Sequence, residues 1–263
     1  MKCIAVIPAR YASTRLPGKA LLPLGEKPII QHVYERVRQV PGIDTVLVAT
    51  DDERILNRVT SFGGQACMTG THHLSGSDRI AEAIATRPCD WVFNIQGDEP
   101  FIDLTTVQAV LREAVSRNLS PVYTASVPIR SLEDWVNPSV VKVIVNQKNQ
   151  ALYFSRWPIP YQRNVLANDL ISVFREKCQE KLDLGLHQRH LGIYLYRREF
   201  LLEYVQMPPG PLELAEHLEQ LRILEHGYTI SVVPASQSGI SIDTPKDYED
   251  AKRYYEQNFR GSK

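Results

Sequence analysis

The run Cys3-Ile4-Ala5-Val6-Ile7-Pro8-Ala9-Arg10-Tyr11-Ala12-Ser13-Thr14-Arg15-Leu16-Pro17-Gly18-Lys19 decides how the chain is read. Residues 3–7 are short, apolar and rich in β-branched side chains, which predicts a central strand buried on both faces. The following stretch carries three cations, Arg10, Arg15 and Lys19, and two hydroxyls, Ser13 and Thr14, on a loop closed by Pro17-Gly18. The next helix is expected only near Pro28. A loop beyond the carboxyl end of a first parallel strand is where open α/β sheets bind ligands, and cations there favour phosphate. Taken alone, the stretch reads equally well as a solvated strand-to-helix connection. It has neither the Gly-x-x-x-x-Gly-Lys-Ser/Thr phosphate loop nor the Gly-x-Gly-x-x-Gly dinucleotide fingerprint.

Outward from this loop, strand and helix patterns alternate. Pro28 opens a helix with Ile29, Ile30, Val33, Val37 and Val40 on one face, ending at Pro41-Gly42. A strand over 45–50 leads to a helix capped by Asp51 or Asp52 and stopped at Gly63-Gly64. A short strand over 65–68 enters a second polar loop, Thr69 through Arg79, which includes His72, His73 and Ser75. No third ligand at useful spacing makes the histidine pair a zinc site. A strand over 91–95 ends at Gln96-Gly97-Asp98-Glu99-Pro100. The repetition predicts a doubly wound, mostly parallel sheet whose strand ends share one crevice, so that Asp98 faces Arg15 and Lys19.

Beyond a helix over 104–115 come strand-like segments at 122–129, 140–145 and 151–156. Pro158 and Pro160 then break regular structure, and a charged, weakly patterned stretch, 162–188, follows. In residues 189–196, alternation sets His190, Gly192, Tyr194 and Tyr196 on one face and Leu191, Ile193 and Leu195 on the other. A single helix is expected over 212–224, with Leu214, Leu218, Leu221 and Leu224 as its apolar stripe and Glu213 and Glu216 at its dipole-favoured start. Near the end, Thr244-Pro245-Lys246-Asp247 spells an N-cap, a first-turn proline and a capping-box acid. This leaves Asp243 outside the helix and available to a metal.

At 263 residues, 43% of them hydrophobic, the chain can bury a large α/β core. Thirty basic residues balance thirty acidic ones, so nucleic acid is disfavoured as a partner and attraction for anions must be local. Cys3, Cys67, Cys89 and Cys178 are dispersed without a Cys-x-x-Cys, the pattern of free thiols in a reducing compartment. No apolar run matches a signal core or a membrane span, which points to a cytoplasmic protein.

Asp98 and Asp243 together suggest a site for Mg2+, which takes one or two carboxylates plus substrate phosphates. Arg10, Arg15 and Lys19 would then hold a nucleotide. With no Ser-His-Asp or Cys-His arrangement favoured, direct displacement by a substrate oxygen fits best.

The first stretch, with Gln96-Gly97-Asp98-Glu99-Pro100, Ala151-Leu152-Tyr153-Phe154-Ser155-Arg156, Arg189-His190-Leu191-Gly192-Ile193-Tyr194 and Ile242-Asp243-Thr244-Pro245, resembles the motifs of the CMP-Kdo synthetases. These are the 3-deoxy-manno-octulosonate cytidylyltransferases, and the likeness spans nearly the whole chain. It implies a nucleotide-diphospho-sugar transferase-like (Rossmann-like) α/β domain over 1–263, with 150–212 a sugar-site and dimerisation subregion. The implied reaction is CTP with Kdo giving CMP-Kdo and pyrophosphate, for lipopolysaccharide assembly, by a homodimer without nucleic-acid or membrane partners. By the same likeness Ala9, Arg10, Ser13, Arg15, Lys19, Ser75 and Arg79 would contact CTP. Asp98 and Asp243 would hold Mg2+, and Gln96, Arg156, His190, Tyr194 and Glu213 would line the sugar site. Lys19, Arg15, Asp98 and Asp243 would carry the catalysis. Activation of sialic acid or of the 8-amino analogue of Kdo, and nucleotide-sugar binding without turnover, are the rival readings.

Overall fold

A computed structural model describes residues 1–12, 15–73, 75–163 and 186–259. The hydroxyls of Ser13 and Thr14, the thiol of Cys178 and most of the charged stretch 162–188 lie outside the described residues. By compactness the chain divides into two units: Met1–Arg117 with Gly192–Gln206 and Gln237–Lys263, and Asn118–Leu191 with Met207–Ser236.

The first unit begins with β1 (Cys3–Ala9), almost wholly buried, followed by a 3-10 turn at Lys19–Leu21 and a small hairpin of β2 (Pro23–Leu24) and β3 (Lys27–Pro28). Helix α1 (Ile29–Val37) buries Ile29, Ile30, Val33 and Val37 against the sheet. Pro28 is its cap in extended conformation rather than its first helical residue, and the helix stops at Val37, short of the expected Pro41-Gly42. Next come β4 (Thr45–Thr50), α2 (Glu53–Ser61), β5 (Ala66–Met68), α3 (Gly76–Ile84), β6 (Trp91–Asn94) and α4 (Leu104–Arg117). Of the two candidate caps for α2, Asp52 takes the role by accepting from the Arg54 amide at 2.9 Å.

In the second unit, β7 (Val122–Pro128), α5 (Leu132–Val136), β8 (Lys142–Val145) and β9 (Ala151–Ser155) precede β10 (Gln188–Arg197), whose residues from Gly192 onward belong to the first unit. After α6 (Arg198–Tyr204) in the first unit, the second resumes with α7 (Pro211–Glu216), α8 (Gln220–Glu225) and β11 (Ile230–Pro234), which pairs parallel with β7. Helix α9 (Pro245–Phe259) closes the first unit.

The single helix expected over 212–224 is two short ones. His217 between them adopts the left-handed conformation (φ 51°), and Leu214, expected in an apolar stripe, is 59% exposed. The cause is long-range: the Glu216 carboxylate accepts from the Ser155 hydroxyl at 2.6 Å and the Arg156 amide at 2.9 Å, which holds the turn at the end of β9.

The first unit's sheet runs β10-β6-β1-β4-β5, with β6, β1, β4 and β5 parallel and β10 antiparallel to β6. The chain leaves β1 for β4 and β5 on one side, then returns to β6 on the other. That reversal between β1 and β6 is the topological switch point at which open α/β sheets place ligands, beyond the carboxyl ends of the strands. Among the described residues, no helix is long and apolar enough to cross a membrane.

Candidate active site

Three loops of the first unit converge at the switch point. Beyond β1, Gly18 adopts φ +67°, a conformation that favours glycine, and its amide donates to the Tyr11 carbonyl at 3.1 Å. The turn at Lys19–Leu21 starts there and aims the Lys19 side chain at the sheet end. Beyond β6, Gly97 lies so close to β1 that a Cβ would stand 3.1 Å from the Pro8 carbonyl oxygen. A side chain there would require the end of β1 to shift by a few tenths of an ångström, so glycine lets Asp98 follow at this depth. The third loop is brought in by the backbone, the Ile242 amide donating to the Asp98 carbonyl at 3.0 Å. Asp243 is then set by the expected capping box. The Asp247 carboxylate accepts from the Asp243 and Thr244 amides at 3.1 and 2.8 Å, and the Thr244 hydroxyl accepts from the Asp247 amide at 3.2 Å.

These placements bring Lys19, Asp98 and Asp243 together. The Lys19 ammonium donates to Asp98 at 2.5 Å and to Asp243 at 3.0 Å, and Arg15 approaches Asp243 at 3.3 Å. Burial alone would lower the pKa of Lys19, but the two carboxylates outweigh it and hold the pKa above its ordinary value. Burial pushes the Asp98 carboxyl the other way, up; facing the ammonium at 2.5 Å, the pair is ionic. The two carboxylates therefore aim oxygens at a single point now held by a cation. Hard oxygen donors around one point suit a divalent cation that takes its remaining ligands from substrate and water. Among the described residues, no group of three or more His, Cys, Asp or Glu could form an all-protein metal cage.

A crevice of about 320 Å³ opens around this cluster. Of the residues expected at the nucleotide, Ala9, Arg10, Arg15, Lys19, Ser75 and Arg79 all border it, and so do Gln96, Asp98 and Asp243. Ser75 and Arg79 have other work as well. Ser75 is the N-cap of α3 in a reciprocal capping box with Asp78, and the buried Arg79 donates to Asp51 at 2.7 Å and Thr69 at 2.6 Å. The sequence reading missed Pro8 and His73, which also border the crevice. His73 stands in the second polar loop, and its ring is paired with Glu82. No local signal marks it, because Glu82 reaches it from the body of α3.

The residues expected at the sugar divide between the units. Gln96 and Tyr194 belong to the first, Gln96 donating to the Gly192 carbonyl at 3.1 Å and Tyr194 stacking on Tyr196. Arg156, His190 and Glu213 belong to the second. There the Arg156 guanidinium donates to the carbonyls of Glu216, Pro138 and His217 at 2.8, 3.0 and 3.2 Å, which uses three of its five N–H donors. Glu213 is gripped by Arg222 through two bonds of 2.6 Å. His190 meets the Thr124 hydroxyl at 2.9 Å and the edge of Phe154, and desolvation lowers its pKa to about 3, leaving the ring neutral.

Comparison with known proteins bears on the same features. The profile of a family described as cytidylyltransferase matches residues 4–230. A 3-deoxy-manno-octulosonate cytidylyltransferase of Geobacter metallireducens is 44% identical over 252 residues, covering 95% of this chain and 96% of the relative. The chain belongs to the 3-deoxy-manno-octulosonate cytidylyltransferase family. The enzyme of that name from Geotalea daltonii is likewise 44% identical, over 255 residues with 95% and 96% coverage. Among solved structures, a CMP:2-keto-3-deoxy-manno-octonic acid synthetase complexed with CTP superimposes with a TM-score of 0.88 at 42% identity, over 98% of this chain and 100% of that one. A 4-diphosphocytidyl-2C-methyl-D-erythritol synthase shares the fold alone, with a TM-score of 0.61 at 12% identity over 96% and 97% of the two chains. Cytidylyltransferases generally use a divalent metal, in keeping with the convergent carboxylates.

Proposed function

We infer that the protein transfers the cytidylyl group of CTP to 3-deoxy-manno-octulosonate, giving CMP-Kdo and pyrophosphate. The observation that carries this reading is the convergence of Lys19 and Arg15 on Asp98 and Asp243 at the switch point of a chain 44% identical to enzymes of that name. Arg10, Arg15 and Lys19 bind the triphosphate, with Ala9, Ser13, Ser75 and Arg79 as further nucleotide contacts. As CTP enters, the Lys19 ammonium exchanges its carboxylate partners for phosphate oxygens, which frees Asp98 and Asp243 to hold Mg2+. Bound there, Mg2+ supplies charge neutralisation on the phosphates and makes a nearby sugar hydroxyl more acidic. The protein's own part is to align that anomeric hydroxyl with the α-phosphate and to stabilise the charge that develops as pyrophosphate leaves, chiefly through Lys19 and Arg15.

Sugar recognition is the proposed role of Gln96, Tyr194, Arg156, His190 and Glu213. A neutral His190 suits a hydrogen bond to a hydroxyl rather than pairing with a charge. For assembly we propose a homodimer using the 150–212 stretch, supported by the exposure of Leu152, Trp157, Tyr161, Leu186 and Leu212. A CTP-using enzyme whose described cysteines are free fits the cytoplasm and lipopolysaccharide assembly.

The test is pyrophosphate release by the purified protein with CTP, Mg2+ and Kdo, with UTP, sialic acid and 8-amino-Kdo as alternatives. Release that needs CTP, Kdo and Mg2+ together establishes the reading. Preference for another acid sugar moves the substrate, and no release with any pair overturns the assignment.

A further inference from the structure

The neck of the loop after β1 is tied to a helix outside the crevice. Tyr11 and Gly18 form that neck, joined by the amide-to-carbonyl bond of 3.1 Å. The Tyr11 ring lies against Gly18 so closely that a Cβ there would stand 3.3 Å from it. Arg54, in the first turn of α2, sets the carbon of its guanidinium 3.3 Å from the centroid of the same ring. The guanidinium is held in plane by the N-cap carboxylate of that helix: Nε donates to one Asp52 oxygen at 2.9 Å and Nη2 to the other at 2.6 Å. A line of contacts thus runs from Asp52 through Arg54, Tyr11 and Gly18 to Lys19, whose ammonium meets Asp98 and Asp243.

We propose that Arg54 is a positioning residue for nucleotide binding: stacked on Tyr11, it holds the neck of the loop and with it the stance of Lys19. A planar, bidentate and stacked guanidinium is a role that lysine cannot fill. The contact is partly exposed, and contacts of this kind are worth a factor of about two to five in an equilibrium. The inference rests on the reading that this loop holds CTP, and its test has one arm that does not.

In the unliganded protein, hydrogen exchange at the Gly18 amide should quicken by about two- to fivefold in R54A and in Y11A, and stay as in the wild type in Y11F. Titration with CTP should show a Kd weakened by a similar factor in R54A and in R54K, with kcat unchanged. The R54A/Y11A double variant should be no worse than the weaker single one. Unchanged Gly18 exchange in R54A overturns the proposal, as does recovery of CTP affinity in R54K, which would make Arg54 a remote charge rather than a stacked plane. Additive losses in the double variant overturn it too. A wild-type protein that fails to bind CTP would sink the reading of the loop, and the exchange result would then decide the inference by itself.

Discussion

The first unit's crevice and the polar cluster of the second unit both hold cations, and they hold them differently. In the crevice Lys19 and Arg15 are met by carboxylates; Arg15 is largely open to solvent and Asp243 partly so. In the second unit Lys142, fully buried, gives its three protons to the carbonyls of Asn137, Val140 and Arg156 at 2.9, 2.7 and 2.7 Å. Arg156 gives three of its five donors to carbonyls, and Arg222 meets Glu213 and the Met207 carbonyl. A carbonyl of the fixed backbone cannot be traded away without bending the chain, whereas a carboxylate can change cations. The first arrangement is suited to exchanging partners with a ligand, while the second also holds strand and turn in place.

Substitutions can break that contrast or sharpen it. The largest effect is expected for Asp98→Ala, with kcat lower by about 10²- to 10³-fold and a melting temperature close to wild type; Asp243→Ala should follow it. Steady-state kinetics beside calorimetry would show this, and unfolding in place of lost turnover would mean that the crevice is as structural as the second unit. Arg222→Met should do the reverse, removing about 3 kcal/mol of stability in urea unfolding because it strands the buried Glu213 charge. Lys142→Met removes a donor from three carbonyls, of which only that of Asn137 is seen to keep another, the Val140 amide at 3.1 Å, and should cost about 2 kcal/mol in the same measurement. Equal stability in that variant would show that the carbonyls find other partners.

The smallest effect is electrostatic. His190 has a folded-state pKa of about 3, below its ordinary value of 6.5. Below pH 6.5 the unfolded chain takes up this proton while the folded protein does not, so stability from this group is full above pH 6.5 and falls as pH drops from 6.5 towards 3. Nuclear magnetic resonance of the ring should show no titration between pH 5 and 8. A midpoint near 6.5 would mean that the ring is solvated and able to carry charge toward a ligand.

Much of this was legible where the determinants are local. The apolar run 3–7 read as a central strand, and all five of its residues are buried in β1 between β4 and β6. Thr244, Pro245 and Asp247 read as a cap and form one, which left Asp243 outside the helix as expected. Reading failed where a distant group overrode the local pattern. The leucine spacing of 212–224 promised one helix, but Ser155 and Arg156, about sixty residues earlier, capture Glu216 and leave His217 in a left-handed turn. The dipole explanation for Glu213 missed Arg222 for the same reason, since the ion pair joins two helices that the pattern had merged. His73 gave no sign of its place on the crevice, which depends on where α3 packs.

The sequence by itself determined the alternation of the main strands and helices up to α4, the cap at Thr244, and the kind of charge each loop carries, because these follow from hydrophobic period and from hydrogen bonds a few residues long. Only the tertiary structure decided which charges meet. Lys19 is 79 residues from Asp98 and 224 from Asp243, and the three share one point because the return of the chain between β1 and β6 puts their loops at the same sheet end. Whether a cation is free for a ligand was also decided there, since desolvation and the acceptors around it come from segments far away in the chain.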